Sequence, residues 1–145
     1  MLRFRERPSA ASIFNCGNQG LSVLRLRNIF FSSSDFVYLS MIKKTEILAR
    51  IKQSVQSSEP LATVILYGSF ARGDNKEFSD IDILILLDQE KITYSDELRI
   101  KYPLYDLEYD TGNVISPLIF SKKDWETRHS VTPFYKNVKR EGVLL

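Results

Sequence analysis

The chain has 145 residues, enough for one domain with a substantial core. At 43% hydrophobic and 26% charged it has the composition of an ordinary soluble globular protein, and no window approaches the roughly 18 apolar residues a membrane span requires. Its single cysteine, Cys16, excludes an intramolecular disulfide and a Cys-rich zinc site, which points to a reducing cytoplasm.

The net charge of +2 is unevenly spread. Residues 1–40 hold five arginines against Glu6 and Asp35, whereas residues 41–145 hold fifteen basic and sixteen acidic side chains. This longer part is nearly neutral and has no basic stripe for duplex nucleic acid. Residues 1–40 also lack sustained periodicity and carry loop signals: Pro8, the Asn15-Cys16-Gly17-Asn18-Gln19-Gly20 cluster and the Ser32-Ser33-Ser34 run. The expectation is a disordered or non-native extension upstream of a working start at Met41. An Arg-rich, Ser-rich targeting peptide and a short ordered arm remain alternatives.

From Met41 the pattern is helical, with Ile47, Leu48, Ile51 and Val55 on one face. Ser57-Ser58-Glu59-Pro60 reads as a turn and Leu61 to Tyr67 as a β-branched strand. Gly68 breaks that strand, and Ser69 is placed to cap a short helix ending near Arg72. A second strand follows at about Asp80 to Leu87, then a helix over 91–104 that Pro103 disturbs. Asp106 to Tyr109 and Val114 to Phe120 read as two strands joined by a turn at Asp110-Thr111-Gly112-Asn113. Pro117 favours an edge position or a bulge for the second of them. Short helices at Ser121–Thr127 and Pro133–Arg140 end the chain. The sum is an α/β (α+β) domain at 41–145, a small mixed sheet flanked by helices.

The chemistry concentrates at Tyr67-Gly68-Ser69-Phe70-Ala71-Arg72-Gly73 and Ser79-Asp80-Ile81-Asp82. Two carboxylates enter a run, Ile81 to Leu87, that is otherwise apolar, and burying them costs several kcal/mol unless a cation compensates. Residues two apart on a strand face the same way, with Cα atoms roughly 6.5–7 Å apart, so Asp80 and Asp82 converge. Oxygen ligands without His or Cys select Mg²⁺ or Mn²⁺, and such ions complete their shell with water and substrate phosphates. Gly68 permits close backbone approach, and free amides at the helix start attract an anion. A Walker-type loop fails because Asp74 stands where lysine is required, and an EF-hand fails because the residues after Asp80 are apolar.

Gly68-Ser69, Ala71-Arg72-Gly73 and Ser79-Asp80-Ile81-Asp82-Ile83-Leu84 resemble the signature of the DNA polymerase β-like nucleotidyltransferases, and more narrowly the minimal (MNT-type) members. The resemblance covers residues 41–145. It implies the polymerase β-like fold, and transfer of a nucleoside monophosphate from an NTP such as ATP to a hydroxyl of a protein or RNA acceptor. Gly68, Ser69 and Arg72 would bind the nucleotide, and Asp80 and Asp82 would be the catalytic metal ligands, with Ser79 in support. It also implies a HEPN-type protein partner in a toxin–antitoxin pair. The family's third carboxylate has its positional match at Ser116, so Asp106 or Glu108 on the preceding predicted strand would have to replace it. Without that acid the chain would be a silent nucleotide-binding antitoxin or regulatory subunit. His129, the only histidine, reads as structural, and Trp125, Phe134 and Tyr135 as packing for the last helices.

Overall fold

The computed structural model describes residues 5–6, 33–76 and 78–145. In chain order these form β1 (Arg5–Glu6), α1 (Ser33–Ser58), β2 (Thr63–Leu66), α2 (Gly68–Arg72), β3 (Ile81–Leu87), α3 (Tyr94–Thr111), β4 (Ile115–Ser121), α4 (Lys122–Thr127), α5 (Pro133–Glu141) and β5 (Val143–Leu144). Most of the segment read as an extension, Cys16 included, lies outside the described residues. Inside them, α1 begins at Ser33, eight residues before the expected start at Met41. No helix among the described residues is long and apolar enough to cross a membrane.

The sheet order is β1-β5-β2-β3-β4. β2 pairs antiparallel with both β3 and β5, while β3 pairs parallel with β4 and β1 with β5, so the expected mixed sheet is present. β3 lies between two neighbours and is covered on both faces, which is why six of its seven residues are buried and its sequence is a continuous apolar run. One face carries Ile81, Ile83, Ile85 and Leu87 against Ile47, Ile51 and Val55 of α1 and Ile100, Leu104 and Leu107 of α3. The other carries Leu84 and Leu86 against Trp125 of α4 and Tyr135 and Val138 of α5. Trp125, Tyr135 and the half-buried Phe134 are therefore packing residues, as expected.

One expected strand is absent. Asp106 to Tyr109 belong to α3, which continues through Pro103 to Thr111 and ends at Gly112, whose φ of +68° is left-handed. A proline inside a helix cannot donate to the carbonyl four residues back. Here the Ser58 hydroxyl donates to that carbonyl, Arg99 O, at 3.3 Å. Ile100, Leu104 and Leu107 keep helical spacing across the proline and bury one face, so tertiary packing outweighs the local penalty. The start of α3 is set by a reciprocal cap between Thr93 and Asp96.

β4 is an edge strand, one of the two settings that Pro117 favours. Ile81 N–H donates to Val114 O, so the polar groups of Val114 and Ser116 turn inward and those of Ile115 and Pro117 turn outward. The Ile115 amide is taken by the Glu108 carboxylate at 2.6 Å, and Pro117 has no amide, so the edge nearest the acid motif is closed to further strands. Ser121 and Thr132 cap α4 and α5.

Candidate nucleotide and metal site

The site is assembled where β2 ends. Tyr67 N–H donates to Asp82 O at 3.0 Å, tying the end of β2 to β3 beside the acid. Gly68 then turns with φ +69°, a conformation L side chains avoid. A Cβ at Gly68 would lie 2.2 Å from Asp82 Oδ2, so the turn and the carboxylate occupy adjacent space with no room for a side chain between them. Glycine is needed twice here, for the dihedral and for the approach. Ser69 is not the cap the sequence suggested: it is the second residue of α2, Tyr67 holds the cap position, and no side chain bonds the helix start. The Ser69 carbonyl instead accepts from Gly73 and Asp74, closing α2 at Gly73.

Alternation along β3 puts Asp82 on the face of Leu84 and Leu86, toward α5. Asp82 is half-buried, and Asp80, which precedes the strand, is exposed. Burial pushes the Asp82 carboxyl above its ordinary range, Asp80 adds to the shift, and Arg72 opposes it. Tyr67 is pushed up to about 12 by burial and then by Asp82. Its ring meets Phe134 of α5 edge-on, with centroids 5.3 Å apart. Among the described residues neither carboxylate has a hydrogen-bond or ion-pair partner.

A like-charged, partly desolvated pair with no direct ion-pair partner among the described residues fits a hard divalent cation, because two carboxylates leave most of an octahedral shell to water and phosphates. The described residues hold no group of three or more His, Cys, Asp or Glu that would form a metal cage alone. Asp80 and Asp82 would be the two side chains able to hold such an ion, with the rest of its shell left to water and phosphate oxygens.

Arg72 closes α2 and donates to Asp74 at 3.2 Å and to Glu141 of α5 at 3.4 Å. Ser79 pins the following loop: its Oγ accepts from Lys76 N–H at 2.8 Å, and its own N–H donates to Lys76 O at 3.2 Å. In the parallel register Asp82 lies directly across from Ser116. The position beside Asp82 is thus a hydroxyl, on the same face as the acid.

Asp106 and Glu108 do not replace it. They lie on α3, which covers the opposite face of the sheet, and residues two apart on a helix do not share a face. Glu108 is occupied by the Ile115 amide. Asp106 lines an open cavity of about 310 Å³ between α1 and α3, with Arg50, Ser54 and Asp110. His129 sits among Phe120 (4.5 Å) and Trp125 (6.0 Å), a packed residue as expected. Sequence reasoning missed Tyr67, whose position next to Gly68 was the available signal, and Glu141, for which there was none.

The mixed sheet, the glycine turn held against Asp82 and the carboxylate pair define a nucleotidyltransferase of the polymerase β-like class. The chain belongs to the nucleotidyltransferase domain family, whose model matches residues 48–141 and so contains every site residue described above. It is similar to two Methanocaldococcus jannaschii proteins, each named a putative protein adenylyltransferase. One is 39% identical over 80 residues, 53% of this chain and 79% of the relative. The other is 33% identical over 107 residues, 73% of this chain and 95% of the relative. In fold it resembles the crystal structure of a putative nucleotidyltransferase from Sulfolobus solfataricus, with a TM-score of 0.50 and 23% identity over 81% of this chain and 90% of that one. The protein is a nucleotidyl-transferring enzyme.

Proposed function

We propose that the domain moves AMP from ATP to a hydroxyl on a protein acceptor in the cytoplasm. The acceptor would be a HEPN-type partner for which this chain serves as antitoxin. The carrying observation is the Asp82 carboxylate, half-buried beside Asp80, without a hydrogen-bond or ion-pair partner among the described residues, and set against the Gly68 turn. In this reading Asp80 and Asp82 hold Mg²⁺ or Mn²⁺, which supplies charge neutralisation for the phosphates. The Gly68-Ser69 backbone accommodates the triphosphate, and Arg72 adds positive charge at the far end of α2. The acceptor oxygen bonds to the α-phosphorus, the bond to the β-phosphate oxygen breaks, and pyrophosphate leaves while the acceptor proton passes to solvent. ATP and a protein acceptor are favoured by the names of the M. jannaschii relatives, and an RNA hydroxyl is the other acceptor to test. The expected result is transfer of label from α-labelled ATP to a co-expressed partner, abolished by Asp80→Ala and by Asp82→Ala; unchanged labelling in both variants would refute the assignment.

Ser116 supports a second reading, a silent nucleotide-binding antitoxin, because it stands where the resemblance places the acid that serves the attacking hydroxyl. Under this reading wild type binds ATP with Mg²⁺ but transfers no label, and Ser116→Asp creates transfer. Robust labelling by wild type would eliminate it.

A further inference from the structure

Glu141, the last residue of α5, is shared by two arginines from different elements. Its Oε2 accepts from Arg72 Nη1 at 3.4 Å, and its Oε1 accepts from Arg140 Nη2 at 2.6 Å and Nε at 3.2 Å. Arg72 is held from its other side by Asp74 through Nε. Guanidinium groups repel one another, and these two converge because an anion lies between them. The convergence point adjoins the site: Arg72 ends the five-residue helix that begins at Gly68, the turn packed against the Asp82 carboxylate.

We propose that Glu141 holds the place of a phosphate, and that Arg72 and Arg140 form a clamp for the terminal phosphates of the bound triphosphate. This rests on the nucleotide reading above. The guanidinium fork matches carboxylate and phosphate oxygens alike, and a polyphosphate carries more charge than one carboxylate, so the exchange is favourable. The ion pairs to be broken lie at the surface, with the Arg72 and Arg140 side chains 43% and 69% exposed, and such pairs contribute little when intact. Arg140 thereby becomes a second nucleotide contact. Arg72 stands in the sequence motif, whereas Arg140 reaches the site only because α5 packs beside α2.

Calorimetric titration of the full chain with ATP, AMP and inorganic tripolyphosphate tests this in wild type, Arg140→Gln and Glu141→Gln. Arg140→Gln removes an exposed side chain and is expected to weaken ATP and tripolyphosphate about tenfold while leaving AMP unchanged. Glu141→Gln removes the competing anion and is expected to bind tripolyphosphate at least as tightly as wild type. Wild-type tripolyphosphate affinity in Arg140→Gln, an equal loss for AMP, or weakened tripolyphosphate binding in Glu141→Gln would each overturn the clamp while leaving the nucleotide reading standing. Failure of the wild-type chain to bind ATP at all would remove both.

Discussion

On the sheet face covered by α1 and α3, apolar side chains fill the interface, and the acids Asp106 and Glu108 sit on α3 away from the motif. On the face covered by α4 and α5, the same strands carry Asp82 and Ser116 at one end and Leu84 and Leu86 further along, with Trp125 closing the core. A single strand, β3, therefore serves both purposes by alternation, and its second residue is the one departure from burial. Both faces carry a buried core, and the near face alone gives up part of its burial at one end: Asp82 is kept partly desolvated beside another acid, an arrangement that burial alone would disfavour.

The sharpest way to break this division is a core deletion on the far face. Leu104 is fully buried, and Leu104→Ala is expected to lower unfolding free energy by about 2–5 kcal/mol in urea denaturation. ATP affinity of the folded protein should not change. A parallel fall in affinity would show that the two faces are energetically coupled.

Gly68 and Gly112 share a left-handed φ, +69° and +68°, but not a neighbourhood. Alanine at either should cost about 1–2 kcal/mol of backbone strain. At Gly112 nothing lies within 4 Å, so function should persist. At Gly68 the new methyl displaces the Asp82 carboxylate, and nucleotidyl transfer should fall about a hundredfold. Equal activity in the two variants would refute the close-approach argument.

The smallest effect concerns Asp82 itself. Its carboxyl titrates above the ordinary value of 3.8, so ionisation is less favourable in the fold than in the unfolded chain. Metal-free wild type should lose stability as pH rises from about that value through the folded-state pKa, and the loss should persist at neutral pH. Asp82→Asn should lack this loss and melt slightly higher than wild type in EDTA at pH 7. Added Mg²⁺ should raise the wild-type melting temperature and leave Asp82→Asn unmoved. A variant less stable than wild type in EDTA would mean that Asp82 is held by favourable contacts instead.

Much of this architecture was legible locally. The helical face of Ile47, Leu48, Ile51 and Val55, the two strands around the glycine turn and the edge position of Pro117 all follow from short-range periodicity and backbone chemistry. The misread stretch, Asp106 to Tyr109, shows the limit. Its acids alternate with period two, which mimics a strand, while the competing signal, Ile100, Leu104 and Leu107, straddles Pro103. That signal wins because packing buries all three residues, and Ser58 from α1 also donates to the carbonyl the proline leaves free. β5 escaped notice for a related reason: two residues carry no periodicity, and Val143–Leu144 become a strand by pairing with Ile65 and Leu66.

Local pattern alone marked the candidate site: a glycine turn and two carboxylates on an apolar strand, residue types that are costly there unless an anion and a cation offset them. Which groups join them depends on long-range packing. Register set Ser116 beside Asp82, the packing of α5 beside α2 brought Glu141 and Arg140 to Arg72, and the continuation of α3 removed Asp106 and Glu108 to the other face. Those relations join residues distant along the chain, and only burial of the two cores, acting on the whole domain at once, brings them together.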